Sequence, residues 1–328
     1  MSDRSTVPAV EVELSPGGRR RRRRDERDAS RGAWYPRWYW PSFSAPATVW
    51  LLLLFVFPFY AILSVAFGTV DPIFGSAVPV WNPLHWNASS FVFVLQQTFL
   101  RGGIYQPAAI RTIVYIASAT VLCLVIGYPV AYFIARYGGK WKALLLALLI
   151  APFWISYLMR MLAWVNLLQD DGLVNKALQG VGLIHTPIHW LEGQHITVIL
   201  GLVYGYIPYM ILPLFAALDR IDRSMLEAAR DLGASPYRTF RRVTLPLSRQ
   251  AILAGTIIVI LPMFGDYYTV DLLSASPRTS MLGNLIDEAL GSPFVGRAAS
   301  LVILLMLALL LPILYYMATT RRAAREPG

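Results

Sequence analysis

The chain has 328 residues, 56% of them hydrophobic and only 15% charged, with a formal net charge of +10. A soluble domain carries roughly 25% charged residues, so this shortfall excludes an ordinary water-solvated fold and makes lipid the main solvent. The single cysteine, Cys123, excludes an intrachain disulfide and a cysteine-based metal site.

In chain order, residues 1–45 form a basic tail with six consecutive arginines at 19–24. A block of like charge does not fold, so the tail is expected to be disordered. Its expected role is to fix topology, and anionic headgroups are the other partner such a run can take. A bilayer core ~30 Å thick needs about 20 apolar residues of helix. Six segments reach that length, at about 46–67, 110–135, 143–168, 196–218, 251–272 and 298–318. The first is too long, and its tail too extended, for a cleaved signal peptide. Arg136, Lys140 and Lys142 lie between the second and third segments. The connection at 219–250 holds seven arginines, and Arg321, Arg322 and Arg325 follow the last segment. The other connections hold only Arg101, Lys176, Arg278 and Arg297. By the positive-inside rule, both termini and the two basic connections are cytoplasmic. The expectation is an all-α membrane protein of six transmembrane helices over 46–319, with a cytoplasmic tail at 320–328.

The connection at 219–250 reads as two short helices. Ser224 is a candidate N-cap for the first, which runs about 223–232 through Leu226, Glu227, Ala228 and Ala229. Gly233 stands where a helix closes in a left-handed residue. Ser235 caps the second helix, with Pro236 in its first position. Leu245-Pro246 is expected to end it at the entry to the fifth span. Leu226, Tyr237 and Phe240 suit a pocket on a partner, rimmed by Arg238, Arg241 and Arg242.

This loop resembles the EAA motif of ABC importer permeases, standing here as Glu227-Ala228-Ala229, then Gly233, then Leu245-Pro246. The segments at 127–136, 151–164, 201–218 and 264–273 resemble permeases of the spermidine/putrescine type, and the likeness spans about 110–318. The resemblance implies the type I ABC importer permease fold in a bacterial inner membrane. It implies that Glu227, Ala228, Ala229, Gly233, Ala234, Pro236, Tyr237, Phe240, Leu245 and Pro246 form a coupling helix docked in a cleft of an ATP-binding subunit. It further implies two ATPase subunits, a second permease subunit and an extracytoplasmic solute-binding protein as partners. ATP and Mg would belong to the ATPase chains, with no cofactor on this one. Thiamine, iron(III), phosphonate and sugar importers share the loop and remain alternatives to a polyamine. A secondary transporter driven by an ion gradient is the alternative of another class, and the coupling loop argues against it.

No P-loop is present: Gly138-Gly139-Lys140-Trp141 lacks the first glycine and the hydroxyl residue that cradle phosphate. No catalytic constellation or metal-ligand set stands out, and nothing in the chain suggests nucleic acid as a partner. Ionisable groups at membrane depth are costly and draw attention as functional candidates. Arg160 in the third span, and Asp266 and Asp271 in the fifth, are such groups. A rise of ~1.5 Å per residue places Arg160 and Asp266 at similar depth in the outer half of the bilayer. They are expected either to pair with each other or, for the aspartates, to face the pathway and attract a cation. Trp154, Tyr157 and Tyr267 complete a candidate wall, because ring faces attract ammonium groups. Pro129, Pro152, Pro208, Pro213 and Pro262 are candidate hinges within the spans.

Overall fold

A backbone in lipid must satisfy its own N–H and C=O groups, so apolar helices carry this fold. The computed structural model describes residues 39–71, 77–274 and 276–323. The elements run α1 Tyr39–Ala66, β1 Thr69–Val70, β2 Ala77–Val78, α2 Ser89–Phe99, α3 Gln106–Tyr137, α4 Lys142–Ile150 and α5 Tyr157–Leu168. They continue α6 Leu173–Gly180, α7 His195–Arg220, α8 Arg223–Asp231, α9 Pro236–Thr239, α10 Leu245–Met263, α11 Tyr268–Leu273, α12 Leu282–Leu290 and α13 Val295–Ala323. The strands form one antiparallel hairpin, with Thr69 opposite Val78.

Five helical stretches are long and apolar enough to cross a membrane, and α4 with α5 make a sixth span bent by 89°. The six expected spans are therefore present. Helix α1 starts at Tyr39, so the end of the tail expected over 1–45 is helical. Ser44 and Thr48 hydroxyls donate to carbonyls of the preceding turn, which lets polar residues sit inside this helix. The arginine run and residues 324–328 lie outside the described residues.

The chain divides into two units, Met1–Phe59 and Tyr60–Gly328, and the division falls inside α1. In the first unit Trp50 to Phe57 are all exposed, as suits a helix whose solvent is lipid. In the second unit α3 and α7 form the central pair. Tyr115, Ala119, Cys123 and Ala131 of α3 pack against Val198, Leu202, Met210 and Leu214 of α7, and Val259 and Met263 of α10 close the cluster.

Two of the expected hinges, Pro152 and Pro262, break their spans, which upsets the depth reckoning, and the end of the loop's second helix differs from expectation. The third span is not one helix over 143–168. It breaks at a 3-10 turn, Ala151–Trp154, followed by extended Ile155. Pro152 withholds an amide there, and Ser156 restarts the helix by accepting the Met159 N–H at 3.4 Å. The fifth span likewise stops at Met263, just after Pro262, and resumes as α11. Depth reckoned from straight helices therefore does not hold for Arg160 or Asp266. The second helix of the cytoplasmic loop does not end at Leu245-Pro246. It passes through a π turn, Phe240–Thr244, into α10, giving one stretch from Pro236 to Met263. A proline ring clashes with the carbonyl four residues back, and the wider π turn relieves that clash. Pro129, Pro208 and Pro213 lie within unbroken helices, so Pro152 and Pro262 alone of the five mark breaks.

Candidate functional site

The cytoplasmic loop folds as a knob on the inner ends of the spans. Asp222, not Ser224, is the N-cap of α8, and its side chain makes no capping bond. Gly233 has φ +82°, with open space where a Cβ would sit, so the backbone conformation selects glycine there. The Gly233 N–H donates to the Arg230 carbonyl at 2.8 Å and the Ala234 N–H to the Ala229 carbonyl at 3.0 Å. This is a Schellman closure, and it sets the angle between α8 and α9. Ser235 Oγ accepts the Arg238 N–H at 3.3 Å, as its position before Pro236 predicts.

The side chains of the knob divide by direction. Phe240 turns inward, edge-on to Tyr128 at 5.7 Å and Tyr132 at 6.0 Å on α3. Leu226 also joins the core cluster. These two residues therefore fasten the knob to the permease itself, which corrects their expected place in a partner pocket. Phe240 packs on α3 and Leu226 on the core cluster. Tyr128 adds a hydrogen bond to Ser248 at 2.9 Å. Arg136 donates to the Ile221 carbonyl at 3.0 Å, and Lys142 pairs with Asp219. Tyr237 remains outward at 69% exposure, joined by Met225 and by Leu232 at 89%. Glu227, Ala228, Pro236, Leu245 and Pro246 are exposed, while Ala229 and Ala234 are half-buried.

At the outer side, the breaks in the third and fifth spans meet in a polar knot. Asp266 is 6% exposed, and its Oδ2 accepts from Thr269 Oγ1 at 2.7 Å, Tyr157 at 2.8 Å and Tyr206 at 3.0 Å. Its Oδ1 accepts the Thr269 N–H at 3.0 Å, so the carboxylate also caps α11. One side chain thus ties spans three, four and five together and satisfies the Thr269 amide freed by the break. Gly201 and Gly205 of α7 permit the approach. A Cβ at Gly205 would stand 2.9 Å from the Tyr157 ring, and one at Gly201 would stand 2.8 Å from Thr269 Cγ2. Glycines four apart on one helix face are a recurrent means of close packing in membranes.

Arg160 does not pair with Asp266, contrary to one expectation. It is 7% exposed, with its guanidinium centre 4.1 Å from the Phe153 ring, 5.3 Å from Tyr157 and 6.0 Å from Tyr204. Ring faces take the place of a carboxylate, and Nε and Nη1 have no hydrogen-bond partner. All four hydrogen bonds to Asp266 come from within the knot. Trp154 ends the turn that breaks the third span and is 87% exposed.

A second acidic and aromatic group stands just beyond the knot. Tyr267 and Tyr268 stack with centroids 4.2 Å apart. Asp271 is exposed, and its Oδ1 accepts from Asn284 of α12 at 2.6 Å, which leaves its other oxygen open. Asn284 also donates to the Tyr267 carbonyl at 3.0 Å, fixing α12 against the end of the fifth span. Tyr267 and Asp287 line a cavity of about 450 Å³ whose floor is Phe264, Ile286, Val302 and Leu305.

Residues 124–324 match the family described as binding-protein-dependent transport system inner membrane component. The chain belongs to this family. It is 36% identical over 271 residues to the spermidine/putrescine transport system permease protein PotB of Haemophilus influenzae, covering 81% of this chain and 89% of that protein. It is 34% identical to PotB of Escherichia coli, covering 82% and 94%. The inner membrane ABC transporter permease protein YdcU of Escherichia coli is 33% identical over 62% of this chain and 68% of that one. The fold also matches a chain of a bacterial alginate ABC transporter in complex with its alginate pentasaccharide-bound periplasmic protein. That match has a TM-score of 0.62 and 18% identity, over 89% of this chain and 96% of that one. The permease is thus a multi-pass inner-membrane subunit of an ABC importer with the type I fold, and a transport subunit rather than an enzyme. It acts with partner subunits of such an importer.

Sequence reasoning placed Tyr157, Tyr206 and Asp266 near one another but missed Thr269, Asn284, Asp287 and Leu232. The glycine pair at 201 and 205 was the available signal for the knot. Leu232 carried a signal too, as an apolar side chain just before the Gly233 turn of a cytoplasmic loop.

Proposed function

We propose that this permease imports polyamines of the spermidine and putrescine type. The observation that carries the reading is the outer end of the fifth span, where the stacked Tyr267–Tyr268 pair adjoins Asp271 and the Asp287 cavity. Two carboxylates with open oxygens suit separated ammonium groups, and ring faces hold a cation between them. The apolar floor suits the methylene segments that join those groups. The similarity to PotB over most of the chain supports the same substrate class. Asp266 has no part in this wall; it holds the helices that carry it.

A solute-binding protein delivers the cation to this outer end. Two ATPase subunits, carrying ATP and Mg, dock on the exposed Met225, Leu232 and Tyr237 of the knob. A second permease subunit completes the pathway. ATPase closure moves the knob, and Phe240 passes the motion to α3 through Tyr128 and Tyr132. The terminal segments at 1–45 and 320–328 serve as cytoplasmic tails.

The test is labelled spermidine uptake in cells that hold all partner subunits, with and without this chain. Uptake that needs the chain, and that putrescine but not thiamine competes away, supports the assignment. Asp271→Asn is expected to weaken uptake at low spermidine concentration more than at saturation. Undiminished uptake without the chain would remove the substrate while leaving the permease intact.

A further inference from the structure

Between α2 and the start of α13, beside Ala77 of β2, lies a cavity of about 410 Å³ that takes no part in coupling or in the acidic wall. Ser89, Ser90 and Phe93 line it from α2, and Phe294, Gly296 and Arg297 line it from the start of α13. The parts are closely packed. A Cβ on Gly296 would lie 3.6 Å from the Val65 carbonyl oxygen and 3.7 Å from Ser90 Oγ. The Ser90 hydroxyl therefore sits beside the first turn of α13.

Arg297 lies between two rings, its guanidinium centre 4.6 Å from Phe93 and 4.3 Å from Phe294. Rings on the guanidinium faces orient the ion and leave its N–H edges for an oxygen acceptor. Among the described residues no carboxylate or carbonyl fills that place. The cavity thus offers a fixed cation and two hydroxyl donors with no anion of its own. The amino ends of α2 and α13 both border it, which adds to the preference for negative charge.

Height and lining indicate where the anion comes from. Arg297 is the third residue of a helix whose apolar stretch runs Val295–Thr319, so the cavity lies where the sixth span leaves the outer face of the bilayer. The exposed Phe294 and neighbouring Pro293 give an apolar rim beside the charge. A phosphodiester has two free oxygens for the planar guanidinium fork and further lone pairs for hydroxyls. We propose that this cavity binds the phosphodiester headgroup of an anionic phospholipid in the outer leaflet. The bound lipid joins α2 to the start of α13 and holds the outer end of the sixth span in place. The proposal does not depend on which solute the permease carries.

The experiment uses the whole transporter, purified with its partner subunits after incubation with phosphatidylcholine vesicles containing phosphatidylglycerol. Phosphatidylglycerol retained per complex is measured by mass spectrometry for the wild type, Arg297→Gln, Arg297→Lys and Ser90→Ala. Loss of a charge-assisted contact weakens retention on the order of tenfold in Arg297→Gln, and by a smaller factor in the other two. Arg101→Gln, on another outer loop, is expected to retain lipid as the wild type does. Should Arg297→Gln not yield an intact complex, Ser90→Ala carries the test alone, because it leaves the guanidinium in place. Equal retention by the wild type and Ser90→Ala, or by the wild type and Arg297→Gln, overturns the proposal. Full displacement of the lipid by inorganic phosphate overturns it in favour of a free oxyanion site. Loss of binding-protein capture with unchanged lipid retention overturns it in favour of a protein contact.

Discussion

The outer knot and the cytoplasmic knob are both built on interruptions of helix, and they handle the interruption in opposite ways. In the knot the freed amide and the buried hydroxyls converge on Asp266, inside a site that glycines allow three helices to share. In the knob the turn closes on its own backbone at Gly233, and Phe240 and Leu226 pack it on the core while Tyr128–Ser248 and Arg136–Ile221 tie it by hydrogen bonds. Lipid cannot solvate a loose polar group, so a break at membrane depth has to be saturated internally. Water can solvate one, so a cytoplasmic turn is free to keep apolar side chains outward for a partner. The first region is rigid by necessity and the second is available for docking.

The strongest way to break this comparison is Asp266→Ala. Three hydroxyls and one amide lose their acceptor, and each buried group left unpaired costs about 1–3 kcal/mol. The expected outcome is loss of a monodisperse peak in fluorescence-detected gel filtration. A well-behaved Asp266→Ala protein would show that the knot is not what secures the outer breaks. Gly205→Ala is the next largest effect, since its Cβ meets the Tyr157 ring at 2.9 Å. Overpacking of this kind costs about 1–3 kcal/mol, to be read as a lowered thermal midpoint in detergent.

The knob should respond in binding rather than in folding. Leu232→Asp and Tyr237→Ala are expected to leave the gel-filtration profile unchanged. Each should weaken ATPase-subunit capture by about 2 kcal/mol, roughly 30-fold, as truncation of an interface anchor does. Normal capture by both variants would move the docking surface elsewhere. Phe240→Ala sharpens the contrast, because its ring is inside. It should lower thermal stability first and capture second, whereas Tyr237→Ala should affect capture alone. The smallest effect is that of Gly233→Ala, where the left-handed backbone costs about 1 kcal/mol for any residue with a Cβ. A slight loss of capture with little change in thermal midpoint is the expected reading.

Some of this was legible in the chain and some was not, and particular residues show why. Glu227-Ala228-Ala229, Gly233 and Ser235-Pro236 each specify local backbone geometry, and each does so within a few neighbours. The knob could therefore be read as two helices at a turn. The destination of Phe240 could not, because an aromatic side chain gains equally by packing on α3 or on a partner. Arg160 and Asp266 could be recognised as costly, but not as separate. Whether two charges meet depends on how the third and fifth spans bend, and Pro152 and Pro262 break their spans where Pro129, Pro208 and Pro213 do not.

By itself the sequence determined the solvent, the number of spans, their orientation and the position of the helical loop at 219–250. Each of those follows from apolar length, from the side on which arginine accumulates, or from turn chemistry, and all three are local sums. Tertiary structure alone decided which carboxylate is consumed by packing and which stays open, and which face of the knob turns outward. Those outcomes depend on contacts between residues far apart in the chain, such as Tyr157 with Asp266 and Tyr128 with Phe240. Such contacts form only after the helices have bent and met, and no local pattern encodes the bend.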